Sequence, residues 1–172
     1  MSDTHREPPG ETELTYGSYL ALDELLSLQR PRSRPEHPDE LLFIVVHQAS
    51  ELWFKVILHE LEELIAAMRG RDVLGATTAL KRVNALVRIV SGQLAGLETL
   101  PPQRFAQFGG NLGTSSGPQS AQFRAIEALS GLRAPHFLHA LAEHGEPPAI
   151  VRQALERPTL QELFEDLLVA SG

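Results

Sequence analysis

The stretch PDELLFIVVHQASELWFKVILHELEELIAAMRG, residues 38–70, carries no glycine or proline between its first and last residues. Pro38 is tolerated where a helix start has no use for the missing N–H, and Asp39 and Glu40 suit the positive end of the helix dipole. The spacing predicts one unbroken helix running to Gly70, the longest element of the chain. Its first half is apolar nearly all round, with Leu41, Leu42, Phe43, Ile44, Val45 and Val46 followed by Leu52, Trp53 and Phe54. That pattern is expected of a helix packed on several sides, the central helix of a bundle.

Downstream, Val73 to Leu97 repeats apolar residues at helical spacing through Leu80, Val83, Leu86, Val87, Val90 and Leu94, with Lys81, Arg82 and Arg88 on the outer face. A connection as short as Gly70–Asp72 is expected to set the two long helices antiparallel. Upstream, Tyr16, Tyr19, Leu20, Leu22, Leu25 and Leu26 predict a short amphipathic helix that ends at the Pro31, Pro35 and Pro38 cluster. Residues 1–12 read as a disordered tail, and residues 13–172 as one helical domain. Further helical turns are expected over Pro101–Phe108, Ser120–Leu129, Pro135–Glu143, Pro147–Glu156 and Thr159–Ala170. Between them, Gly109–Gln119 holds four glycines and three hydroxyl residues and reads as the one long loop. No strand pattern and no repeat is visible, so the fold class is all-α, a helical bundle built on two long antiparallel helices.

Composition narrows the function. With 172 residues the chain has the length of one domain. It contains no cysteine, which removes disulfides, thiolate-ligated haem, iron–sulfur clusters and cysteine zinc sites. Fifteen basic residues stand against 22 acidic ones, a net charge of −7 with no basic run, so nucleic acid is not an expected partner. The longest near-continuous apolar run, Leu41–Val46, is short for a membrane span, and the polar start lacks a signal peptide's apolar region. A cytoplasmic protein without a membrane partner is expected.

On the long helix His47, Glu51, Lys55 and His59 recur every four residues and form one polar stripe. His47, flanked by Phe43, Val45 and Val46, is expected to be buried, and burial favours a neutral ring. Two roles remain open for it: a core histidine bonded to a neighbouring backbone carbonyl, or a group that meets a ligand. The stripe does not match the Glu-x-x-His order of bundle di-metal sites. His59-Glu60-Leu61-Glu62-Glu63 misses the zinc protease motif at its last position and reads as a solvated face. The Gly109–Ser120 loop, with Thr114, Ser115 and Ser116, has backbone and hydroxyl donors for a carboxylate or propionate, but no phosphate-loop lysine.

Taken together, TYGSYLALDELL (15–26), DELLFIVVHQASELWFK (39–55), HEL (59–61), LET (97–99) and SGPQSAQFR (116–124) resemble the tryptophan 2,3-dioxygenase family in order and spacing. The tail from Pro135-His136 to Pro158-Thr159-Leu160 is similar to its bacterial members, so the resemblance runs from about Glu13 onward. It implies an all-helical, haem-dependent oxidoreductase, usually a homotetramer. Such an enzyme inserts both atoms of O2 across the indole C2–C3 bond of L-tryptophan to give N-formylkynurenine, the entry to the kynurenine route of tryptophan catabolism. By that resemblance His47 matches the catalytic distal histidine that contacts the indole N–H, and Phe43 and Leu112 match pocket residues. Tyr16, Tyr19 and Leu20 match first-helix residues given to a neighbouring subunit's substrate site. Ser115, Ser116 and Gly117 match the loop over the haem edge. A neutral His47 fits this role, since an imidazolium only donates.

Three departures accompany the resemblance. Gly109 stands where the family carries an arginine that pairs with the substrate carboxylate, which implies a substrate whose carboxylate is masked or missing. Phe105 and Leu94 replace a tyrosine and a tryptophan. The proximal haem histidine belongs to a C-terminal third expected beyond Gly172, while His136, His139 and His144 align with a surface helix, so no metal ligand is assigned. The alternative reading is a catalytically inactive remnant that serves as an interaction module or subunit partner.

Overall fold

The computed structural model describes residues 14–113, 119–133 and 146–171. The chain divides into two compact units, one up to Arg30 and one from Pro31. All regular structure among the described residues is helical.

In the first unit the expected single helix is two single turns, α1 (Tyr16–Tyr19) and α2 (Leu22–Leu25). The Thr15 hydroxyl accepts from the Ser18 N–H and the Ser18 hydroxyl accepts from the Thr15 N–H, closing the first turn locally. Ala21 then adopts a left-handed conformation, φ 49°, and ends the run. Apolar periodicity is the same for one helix and for two turns presenting one face. No residue of either turn is buried, so no packing term extends them, and so short a helix is marginal by itself.

The second unit is built on α3 (Glu40–Arg69), about 45 Å long at 1.5 Å per residue. Its start is secured by Glu40, which is fully buried. The Glu40 carboxylate accepts the Arg32 N–H at 2.6 Å, the Ser33 N–H at 3.0 Å and the Ser33 hydroxyl. Burial pushes the Glu40 carboxyl upward, but these bonds outweigh it and hold it below its ordinary range. At the other end Arg71 takes φ 59° and the Asp72 carboxylate caps α4 (Val73–Gln93) by accepting the Gly75 N–H at 2.9 Å. Arg82 of α4 pairs with Glu60, while Gln93 donates to the Ser50 hydroxyl at 2.6 Å, so residue numbers rise in opposite directions along the two helices. The run beyond Gln93 restarts as α5 (Ala95–Glu98). There follow α6 (Pro102–Gly109), a 3-10 turn at Gly110–Leu112, α7 (Ala121–Leu129), α8 (Ala149–Leu155) and α9 (Leu160–Ser171). The helix expected over Pro135–Glu143 lies outside the described residues.

The core gathers on the second half of α3. Ile57, Leu61, Leu64, Ile65 and Met68 pack against Ala76, Ala79, Val83 and Leu86 of α4, Ala125 and Leu129 of α7, and Leu163 and Leu167 of α9. The first half differs from the expectation of packing on several sides: Leu41, Leu42, Val45, Leu52 and Val56 are exposed, and Val46 and Ser50 are buried. Here α4, α5 and α6 cover one side, with Gly96 against Val46 and Leu42. By length and hydropathy alone α3 is apolar enough to cross a membrane, but its second half is the core helix of the bundle.

Candidate functional site

His47 and Phe43 stand one turn apart on α3, which places them on one face. The His47 Nδ1–H donates to the Phe43 carbonyl at 2.7 Å, and the two rings lie with centroids 4.1 Å apart. The bond sets the tautomer: in the neutral ring Nε2 carries the lone pair and is free to accept. His47 is half-buried, so the expected full burial is corrected. The reason is that the rings of α6 pack on Phe43, while the imidazole one turn further along α3 has the Phe43 ring as its aromatic contact. The backbone bond of a core histidine and the orientation needed by a ligand-meeting one are therefore present in the same residue.

The wall behind Phe43 comes from α6. Phe105 and Phe108 are three residues apart and project from one side of that helix; their rings lie 5.5 and 5.9 Å from the Phe43 ring and 5.3 Å from each other. Phe108 is fully buried. Gly109 closes α6 under the Phe105 ring: a Cβ there would stand 3.0 and 3.2 Å from two ring atoms. The ring occupies the room that a side chain at this position would need.

Two polar bridges hold α6 to the start of α3. Asp39 forms a two-contact ion pair with Arg104, including an Nη2–Oδ1 bond of 3.0 Å. His37 accepts the Asp39 N–H on Nδ1 at 3.2 Å, so its Nε2–H donates to the Gln107 side-chain oxygen at 2.9 Å, and its ring lies 5.1 Å from Phe108. Reading the sequence did not single out His37 or Phe108. Their partners on the facing segments lie about seventy residues away in sequence, and local spacing carries no signal for them.

The remaining positions divide. Leu112 follows the site on the 3-10 turn and is half-buried. Tyr16, Tyr19 and Leu20 are exposed on the first unit. Ser115, Ser116 and Gly117 lie outside the described residues, as do His136, His139 and His144. Of the polar stripe, Glu51 is structural: Gln122 of α7 donates to its carboxylate at 2.8 Å and to its carbonyl at 3.0 Å. Among the described residues no three His, Asp or Glu groups are placed to hold a metal ion.

The family model described as tryptophan 2,3-dioxygenase matches residues 2–145. A protein named tryptophan 2,3-dioxygenase from Kineococcus radiotolerans is 45% identical over 160 residues, 93% of this chain and 56% of the relative. One of the same name from Xanthomonas euvesicatoria pv. vesicatoria is 44% identical over 162 residues, 94% of this chain and 54% of the relative. The chain thus spans about half the length of the curated relatives it matches.

Proposed function

The chain belongs to the tryptophan 2,3-dioxygenase family, and from that membership we propose a haem-dependent dioxygenase-like function on L-tryptophan or a related indole, with O2 as co-substrate. The observation that carries this reading is the orientation of His47. Its Nδ1–H is committed to the Phe43 carbonyl, which leaves Nε2 to accept the ring N–H of an indole. Phe43 sets its ring against the imidazole, and Phe105 and Phe108 supply an apolar wall behind Phe43. Such rings favour offset or edge contacts with another aromatic system. Leu112 is proposed as a further substrate-pocket residue, and Ser115, Ser116 and Gly117 as the residues that would meet the haem. The same reading proposes a cytoplasmic protein and a homo-oligomer to which the exposed Tyr16, Tyr19 and Leu20 contribute. Relatives named as dioxygenases give the inactive interaction module no support over this reading.

Haem is the group that membership implies. Among the described histidines, His37 uses both ring nitrogens within the fold, His47 reserves Nε2 for the substrate, and His59 stands exposed on the far half of α3. None of these three histidines is therefore assigned to hold the haem iron. Within the chain, the action of His47 is to orient the indole by its N–H and to hold that proton at Nε2.

Indole and 1-methylindole test the reading, because they differ chiefly in the N–H. A neutral hydrogen bond contributes about 0.5–1.5 kcal/mol, so wild-type protein is expected to bind indole roughly 2–10-fold more tightly than 1-methylindole by calorimetry. In His47→Ala that advantage disappears. Equal affinity of the wild type for the two ligands overturns the assignment of His47.

A further inference from the structure

Twelve residues beyond His47, about 18 Å along α3, that helix meets α7 and α8 and leaves a cleft of about 180 Å³. Its floor is made of Ala125, Leu129 and Ala154, all buried. Its rim carries Glu62 of α3 and Arg157 just past α8, with Gln153 beside them. The Arg157 guanidinium holds the Glu62 carboxylate in a fork, Nη1–Oε1 at 2.5 Å and Nη2–Oε2 at 2.7 Å.

That fork leaves capacity on both sides. A guanidinium has five N–H groups, and the three that Glu62 does not take have no partner among the described residues. The carboxylate side chain is 51% exposed and retains a second lone pair on each oxygen. The Glu62–Arg157 pair therefore presents donors and acceptors next to each other with no net charge of its own, and His59 adds an imidazole to the lining. The walls are fixed as well: Arg133 donates to the carbonyls of Ala128, Ala154 and Arg157 at 2.9, 2.7 and 2.7 Å, tying the ends of α7 and α8.

We propose that this cleft is a second small-molecule site, for a single-ring aromatic primary amide. An apolar cavity of about 150 Å³ takes benzene, so the floor has room for one ring. The amide carbonyl accepts from Arg157 and Gln153, and its NH2 donates to Glu62. An anion or a cation of the same shape meets one like pole of the fork, and loses more hydration than a neutral amide on entering the apolar floor.

The test uses benzamide, benzoate and benzylamine with the full chain, followed by backbone amide shifts. Benzamide is expected to move the signals of Ala125, Leu129, Gln153 and Ala154 with a dissociation constant on the order of 1 mM. Benzoate and benzylamine are expected to bind at least about five-fold more weakly. Glu62→Gln removes one pole, and its preference turns toward benzoate. Benzoate or benzylamine matching benzamide on the wild type overturns the proposal, as does a benzamide response confined to residues around Phe43 and His47. The wild-type series decides the matter even if Glu62→Gln fails to fold.

Discussion

At the scale of residues, the Phe43 carbonyl and the missing side chain of Gly109 define the surroundings of His47. The first holds one imidazole nitrogen, and the second lets the Phe105 ring lie against the end of its own helix. Gly109→Ala tests the second directly. Alanine gains about 0.5–1 kcal/mol over glycine inside a helix, and the partly exposed Phe105 ring can move away from the new methyl. The thermal midpoint is expected to stay within a few degrees, while the nuclear Overhauser contact between the Phe105 and Phe43 rings weakens. An unchanged contact shows that the ring does not depend on glycine. The pair Phe43 and His47 was legible in the sequence because it lies within one helical turn. The wall formed by Phe105 and Phe108 was not, because nothing local says which helix faces α6.

Among the elements, the entry to α3 depends on one carboxylate. Glu40 is held ionised by backbone and hydroxyl donors from Arg32 and Ser33 against the opposing effect of burial. Its folded value lies below its unfolded one of about 4.3, so its contribution is complete above that pH and is lost as pH falls through the folded value. Glu40→Gln is expected to cost about 2–3 kcal/mol at pH 7 in denaturant unfolding, and to flatten part of the fall in stability on acidification. Glu62, held low chiefly by its hydrogen bond to Arg157, and Glu162, held low by the Thr159 N–H and hydroxyl, keep the rest of that fall. Glu127 acts in the reverse sense, since burial raises it. An unaltered acid dependence in Glu40→Gln contradicts the role given to this carboxylate. The uninterrupted run after Pro38 made α3 readable to within its first residues. The first unit was misread because periodicity reports a face and not continuity, and the stop at Ala21 has no glycine, proline or asparagine to announce it.

Taken as a whole, the molecule buries one half of its longest helix and leaves apolar residues of the other half exposed. Leu41, Val45, Leu52 and Val56 fall within one side of α3, which composition alone read as the interior of a bundle. Burial is a property of the surrounding helices, and an apolar stretch does not say whether its cover comes from the same chain. If the proposed homo-oligomer uses this side, Leu52→Glu shifts sedimentation toward smaller species without lowering the thermal midpoint of the bundle core. An unchanged sedimentation profile removes this face from the assembly. One interaction also bears on how the bundle comes apart. Because Arg133 gathers the carbonyls at the ends of α7 and α8 onto a single side chain, the amide hydrogens of those two helices should exchange with solvent together, as one cooperative unit. Arg133→Ala should split it, with the amides of α8 exchanging first.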